Sequence, residues 1–444
     1  MSSPHRGSKR RRTARLLVFC LLGMSTVGCS SLGGLFGGDD DVILPGERVA
    51  VIPSDQPLAA DADAGQNPVV VPAAYTNADW SQPGGSPSNA LQHLALGGKL
   101  SKLWQSSAGR GSSSQGRLTA SPIVVGNRVY TLDTEATVHA FDITNGSRLW
   151  RAELTPEDEE SEEGYGGGLA ASNGKIFAAI GFGHVVALDP ANGNKLWDKS
   201  LGAPVRTAPT AADGRVFITT VNNEVYSLNQ QDGEIAWKFQ GVAETAALLS
   251  STSPAVSGGM VVVPYTSGEL VAFSAGDGNP RWSDSLTKAG ALSSLANMND
   301  IAGRPVIEGD SVFAVSHAGR LAAFSLKTGE RLWGQDISST ETPWVAGNYL
   351  FLVNEQGVLM ALSRKDGKIR WVRQLGSDAQ WSGPVLAGGR LILVSSTGTV
   401  ASVSPESGTV IDQIKVGSGM MISPVVAGNT IYFYTDDADL IAMR

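Results

Sequence analysis

The residues with the most distinctive chemical potential in this 444-residue chain stand near its beginning. Cys29 follows Ser25-Thr26-Val27-Gly28, which comes soon after the apolar run Leu16-Leu17-Val18-Phe19-Cys20-Leu21-Leu22. Lys9, Arg10, Arg11, Arg12 and Arg15 precede that run. A basic stretch, a short apolar stretch and a small-residue site make a secretory leader. A cysteine at the cleavage point adds a nucleophile, so the pattern resembles a bacterial lipobox with Thr26 where Leu is usual. The expectation is a signal peptide over residues 1–28, cleavage before Cys29, and lipid on its sulfur and new amine. A plain secretory signal is the other reading. The apolar run is too short to span a bilayer comfortably, whereas acyl chains anchor a protein with no spanning segment. Ser30, rather than Asp, follows Cys29, the pattern for delivery to the outer membrane.

The rest of the chain offers little that could catalyse. Cys20 falls inside the discarded run, and the folded part has no thiol, disulfide or cysteine metal site. His5, His93, His139, His184 and His317 show no paired ligand spacing, and no Asp, Glu or Asn run has calcium-loop spacing. The acidic stretch holding Glu157, Asp158, Glu159, Glu160, Glu162 and Glu163 reads as a solvated loop. The formal net charge of −8 argues against a nucleic-acid partner. No catalytic, cofactor or metal residue is expected.

What must position any site is a repeat. Ala140-Phe141-Asp142 leads to Gly146 and, four positions on, Trp150. The frame recurs with Gly193 and Trp197, Gly233 and Trp237, Gly278 and Trp282, Gly329 and Trp333, and Gly367 and Trp371. A degenerate copy has Gly408 with Asp412 in place of Trp. The tryptophans fall about 38 to 51 residues apart, the spacing of four-stranded propeller blades. A strand ends in a turn whose polar residue bonds nearby backbone N–H groups, Gly supplies the positive φ, and the next strand carries a ring for packing between sheets. The small Ala or Ser leaves room for that ring. Trp104, Trp150, Trp197, Trp237, Trp282, Trp333 and Trp371 are therefore assigned to blade docking, with no chemistry.

A second signature, exemplified by Ser121-Pro122 and Ser423-Pro424, opens the first strand of most blades, where proline costs no ladder donor. Leu100–Trp104 has strand character without its own turn motif, and the C-terminus supplies three strands ending at Leu440-Ile441-Ala442-Met443 without a fourth. Joining the two closes an eighth blade and removes an exposed edge. The expected fold is all-β, an eight-bladed propeller over 77–444, preceded by a flexible tether over 29–76 rich in Ala, Asp, Pro and Gly. Insertions at 155–168, 241–253 and 283–304 break the regularity. The apolar residues of the last two, including Leu248, Leu249 and 292–298, either meet a partner or cap the propeller's own core.

With these residues in view, the repeats resemble the PQQ-like propeller family, over roughly Asn77 to Arg444. The lipobox and tether add a resemblance to those members that serve as lipoproteins of the outer-membrane β-barrel assembly (BAM) machinery. That resemblance implies a non-catalytic scaffold on the periplasmic face of the outer membrane. It binds the POTRA domains of BamA and other BAM subunits, and aids insertion of barrel precursors, with unfolded outer-membrane proteins as a further expected partner. The family's apolar-Arg contact maps to Val205-Arg206, and its acidic second loop to Leu248-Leu249 with no acid in place. Arg206 is either a partner anchor or an inter-blade ion pair. The alternative function is a periplasmic quinoprotein dehydrogenase, which shares the repeat frame and needs a quinone, Ca²⁺ and an Asp base.

Overall fold

A computed structural model describes residues 58–62, 68–244, 248, 252–287 and 299–444. The leader, Cys20, Cys29 and the tether up to residue 57 lie outside the described residues. So do Ala246, Ala247, Leu249 and 292–298.

Eight four-stranded antiparallel sheets form the blades of a propeller. Seven are continuous in sequence. The eighth takes Val425–Ala427, Thr430–Tyr434 and Asp439–Met443 from the C-terminus and Lys102–Ser107 from the other end of the fold. Trp104 pairs with Ala442 and Gln105 with Ile441, so Leu103 and Ile441 share a sheet, as the strand count predicts. The innermost strands are short and wholly or largely buried, while outermost strands such as Arg148–Glu153 alternate between exposed and half-buried positions. One layer of neighbours on the rim and two in the interior account for that gradient.

The repeat frame becomes a lock between blades rather than within one. In blade one, the Asp142 carboxylate accepts the Thr144 N–H at 2.8 Å, and Gly146 closes the turn at φ 71°. A bulge after Ala140 sets Trp150 opposite that small residue. The Trp150 ring then leaves its own sheet. Its Nε1–H donates to the Pro190 carbonyl of blade two at 3.0 Å, and its ring covers Gly193, where an added Cβ would fall 2.6 Å from a ring carbon. The same pair of contacts joins Trp104 to Ile143 and Gly146, and Trp197 to Gln230 and Gly233. It continues from Trp237 to Ala275 and Gly278, and from Trp282 to Leu326 and Gly329. Trp333 meets Arg364 and Gly367, and Trp371 meets Pro405 and Gly408, to complete the series.

This explains Asp412, the one departure from the frame. A Trp at that position in blade seven would need a turn between the third and fourth strands of blade eight. Those two strands come from opposite ends of the fold and have no turn between them. The junction is held instead by core packing and by bonds such as Ser382 Oγ–H to the Met421 carbonyl at 2.9 Å.

A second ring of contacts lies inside the first. The innermost strand of every blade turns an unpaired edge toward the axis, which leaves backbone donors and acceptors unsatisfied. Residues 77–94 run round this inner rim and meet all eight edges in order. Asn77 bonds Val426 of blade eight, Trp80 exchanges two backbone bonds with Val124 of blade one, and Ser81 accepts from Ala171 of blade two. Gln82 donates to the Ala211 carbonyl of blade three at 2.9 Å and accepts its N–H at 3.1 Å. Pro87 meets Val256, Ser88 meets Ile307, Gln92 meets Trp344, and Leu94 pairs with Leu386 and Gly388. Trp80 and Trp344 stack across this belt with ring centroids 6.3 Å apart.

Residues 58–62 and 68–76, placed in the tether by composition, also lie on the propeller. Asp61 N–H donates to the Ile369 carbonyl at 2.9 Å, Tyr349 Oη–H donates to the Pro68 carbonyl at 3.0 Å, and Val69 is buried. Val69 is buried there, and Val71 and Pro72 are half-buried.

At the other end of the axis, the loops that begin the blades surround a cavity of about 160 Å³ lined by Arg117, Arg304, Glu341 and Met421. Glu341 accepts bonds from Ser382 Oγ–H and Gly383 N–H, both at 3.1 Å. Burial pushes its carboxyl from an ordinary 4.5 up to about 7, against the pull of those bonds and of Arg304.

Three predictions follow from this architecture. Gly278→Ala forces a Cβ onto the Trp237 ring at positive φ, and Trp237→Ala empties the same joint; each lowers stability by about 2–5 kcal/mol in urea unfolding followed by circular dichroism. Gln82→Ala strands polar backbone atoms of two blades and costs about 1–3 kcal/mol in the same assay. Glu341 holds its proton more tightly folded than unfolded, so its stabilisation is complete at acid pH and lost as pH rises through about 7. Glu341→Gln therefore shrinks the fall in thermal midpoint between about pH 5 and pH 8.

Candidate functional site

The sequence-predicted pair Val205-Arg206 lies in the loop between the outer strand of blade two, Lys195–Ser200, and the inner strand of blade three, Thr210–Ala212. The structure gives the two residues different roles. Val205 is fully buried among Ala170, Phe177 and Ile218, so it presents nothing to a partner and instead fixes the backbone beneath its neighbour. A β-branched apolar side chain between two sheets finds more area to bury inward than outward. Arg206 is half-buried, and its guanidinium carbon sits 4.0 Å from the centre of the Tyr165 ring. No ion pair holds Arg206 among the described residues, so the cation–π contact is what orients it.

Tyr165 comes from the insertion at 155–168. Its acidic residues Glu157, Asp158, Glu159 and Glu160 are exposed, and a single turn of 3₁₀ helix, Ser161–Glu163, leads toward the ring. Gly166 permits the close approach: its φ is 98°, and a Cβ there would lie 3.2 Å from the Arg206 backbone.

Arg206 and Tyr165 form one wall of a cavity of about 260 Å³ on the face opposite the belt. Tyr265, Leu248 and Asp300 form others. Leu248, expected at a partner surface, lines this cavity, and its N–H donates to Asp300 Oδ1 at 3.2 Å. Burial pushes the Asp300 carboxyl up to about 6, moderated by that bond and by the charge of His317. His317 is itself raised by its bond to Glu355. Nearby Val242 is exposed on the rim. The arrangement suits recognition: an apolar hollow, one fixed cation and a few convergent polar atoms.

The four histidines among the described residues are separately engaged. His93 meets Pro72 and Gly389 beside the belt, His139 bonds the buried Asp133, His184 bonds Asp198, and His317 bonds Glu355. Among the described residues no three His, Cys, Asp or Glu side chains group to hold a metal. The seven blade-docking tryptophans lie at blade junctions and line neither cavity.

Sequence reasoning missed Tyr165, Tyr265 and Asp300. The signal that could have found Tyr165 is its place as the one aromatic residue in an acidic, glycine-rich insertion. Nothing at the sequence level marks Tyr265, which sits in a turn between the second and third strands of blade four.

The family described as outer membrane protein assembly factor BamB matches this chain over residues 95–165, 134–373 and 373–444. The assembly factor BamB of Burkholderia pseudomallei is 26% identical over 353 residues, covering 78% of this chain and 88% of that one. Among solved structures, BamB from Moraxella catarrhalis superposes with a TM-score of 0.67 at 17% identity, covering 78% of this chain and all of that one. A quinohemoprotein alcohol dehydrogenase from Comamonas testosteroni superposes with a TM-score of 0.64 at 13% identity, over 86% of this chain and 81% of its own, a likeness of fold. With eight four-stranded blades and a family match spanning them from end to end, this chain belongs to the outer membrane protein assembly factor BamB family of PQQ-like repeat propellers.

Proposed function

We propose that this protein is a non-catalytic scaffold of the outer-membrane β-barrel assembly machinery. It docks on the POTRA domains of BamA, joins the other BAM subunits, and aids insertion of barrel precursors. Residues 1–28 direct export, Cys29 carries the lipid, and the chain from Cys29 onward tethers the propeller to the periplasmic face of the outer membrane. Unfolded precursors are a second class of partner.

The observation that carries the docking assignment is Arg206. It is a cation without a carboxylate partner among the described residues, set over the Tyr165 ring beside an apolar hollow. Arginine in that setting supplies planar donors at little entropic cost, the usual chemistry of an interface anchor. Leu248 and Leu249 supply the apolar side of the contact, and Val205 supports Arg206 from below. The exposed acids of 157–160 lie on the same insertion as Tyr165.

The quinoprotein reading draws less support. Its fold neighbours share the blades, but the axial cavity here offers one carboxylate, Glu341, already bonded to Ser382 and Gly383 and faced by Arg304. A hard cation needs six or more oxygen ligands, commonly several of them carboxylates.

Arg206→Glu is expected to weaken binding to the purified POTRA region of BamA by tenfold or more, with an unchanged circular dichroism spectrum. Co-purification of BamA at the wild-type level would sink the assignment.

A further inference from the structure

The chain that enters the propeller is held at one blade. At the rim of blade six, Asp61 bonds both backbone groups of Ile369, the first residue of the outer strand Ile369–Gln374. Its N–H donates to the Ile369 carbonyl at 2.9 Å, and its Oδ2 accepts the Ile369 N–H at 2.6 Å. Leu58 packs against the apolar cluster that contains Ile369. The same repeat position holds Ile235 in blade three and Val410 in blade seven, two residues before Trp237 and Asp412. Ile235 is 41% exposed and Val410 36%, whereas Ile369 is 6% exposed. Of these three blades, six is the one that the chain's own 58–61 covers.

The residues that follow keep to the same side of the ring. Tyr349 of blade six bonds the Pro68 carbonyl, and a Cβ on Gly347 would lie 3.2 Å from Pro72 Cδ. His93 ties Pro72 to blade seven. Its Nε2 accepts the Gly389 N–H at 2.9 Å, so the ring proton sits on Nδ1 and is donated to the Pro72 carbonyl at 2.7 Å. The two parts differ in firmness. Val69 is buried, whereas Asp61 is exposed and Leu58 half-buried. A contact made from the open rim by two bonds and one side chain belongs to the part of a structure that opens first. Arg206 stands between blades two and three, so in the order of the blades the contact at blade six lies almost half the ring away.

We infer that this stretch is a strap with a latch at Leu58 and Asp61, which makes the lipid tether leave the propeller at the rim of blade six, far round the ring from the docking arginine. The inference rests on the readings that Cys29 carries the lipid and that Arg206 docks. The anchor and the partner then hold different sides of the disc. With the latch shut, the tether consists of residues 29–57. Opening the latch frees the chain as far as Pro68 and lengthens the tether by about ten residues, each adding at most ~3.5 Å of reach.

The test uses the full lipidated chain, and its first arm locates the strap. Nitroxide labels are placed at Ala59→Cys together with Ile411→Cys in blade seven, or with Leu196→Cys in blade two. Each pair is expected to give one narrow distance, the shorter to blade seven. Leu58→Ala combined with Asp61→Ala is expected to broaden both. Broad distances with Leu58 and Asp61 intact overturn the strap. The second arm measures reach in vesicles of phosphatidylethanolamine and phosphatidylglycerol that also hold full-length BamA. Residues between Ser31 and Pro57 are deleted stepwise until crosslinking to BamA falls by half. Opening the latch by the same double substitution is expected to move that point by about ten residues. No shift, or no dependence on length, overturns the role in reach. If Arg206→Glu crosslinks to BamA as wild type does, the docking reading fails, while the label distances still decide the strap.

Discussion

The fold depends on a contact between unlike neighbours, the indole of one blade laid on the glycine of the next. Each ring buries its face on a turn that has no Cβ, and its N–H ties down a carbonyl of the same turn. The pairing has a direction: every blade but the seventh reaches forward, and every blade but the eighth is reached from behind. The lock is missing at a single place, the junction of blades seven and eight, where Asp412 stands. Blade eight is assembled from both ends of the fold and has no turn to receive a ring. The residue follows the topology.

Ring closure creates a second problem at the axis. Eight inner strands point their free edges inward, and each is a template for a foreign strand. The belt at 77–94 answers this with backbone bonds from Trp80 and Leu94 and with amide side chains from Asn77, Gln82 and Asn89. Amides suit this task because each offers a donor and an acceptor to an edge that presents both. One end of the axis is thereby occupied by the chain itself. On the opposite face the loops that begin the blades differ in length.

The proposed docking residues lie where the repeat is broken. The insertion at 155–168 brings Tyr165 onto Arg206, and the insertion before blade five brings Asp300 under Leu248. Regular blades supply a rigid rim, and irregular loops supply the chemistry, a division common to scaffolds of this kind. Val205 illustrates the boundary between the two. It stands beside the anchor in sequence yet belongs wholly to the core, so its contribution is to hold Arg206 in place.

The amino-acid sequence by itself determined the number of blades, the hairpin that ends each repeat, the small residue opposite each tryptophan and the union of the two termini in one sheet. All of these are local or periodic. A turn needs Gly within a few residues of its polar partner, and a missing strand at one end implies a spare at the other. Only the tertiary structure decided which glycine each tryptophan meets, because that partner lies some forty residues on, in the next turn of the repeat. The same holds for the belt, whose Gln82 bonds residues about 90 and 130 positions away, and for the meeting of Arg206, Tyr265 and Asp300. Those contacts join segments with no shared period, and they are set by the curvature of a closed ring rather than by the composition of any one stretch.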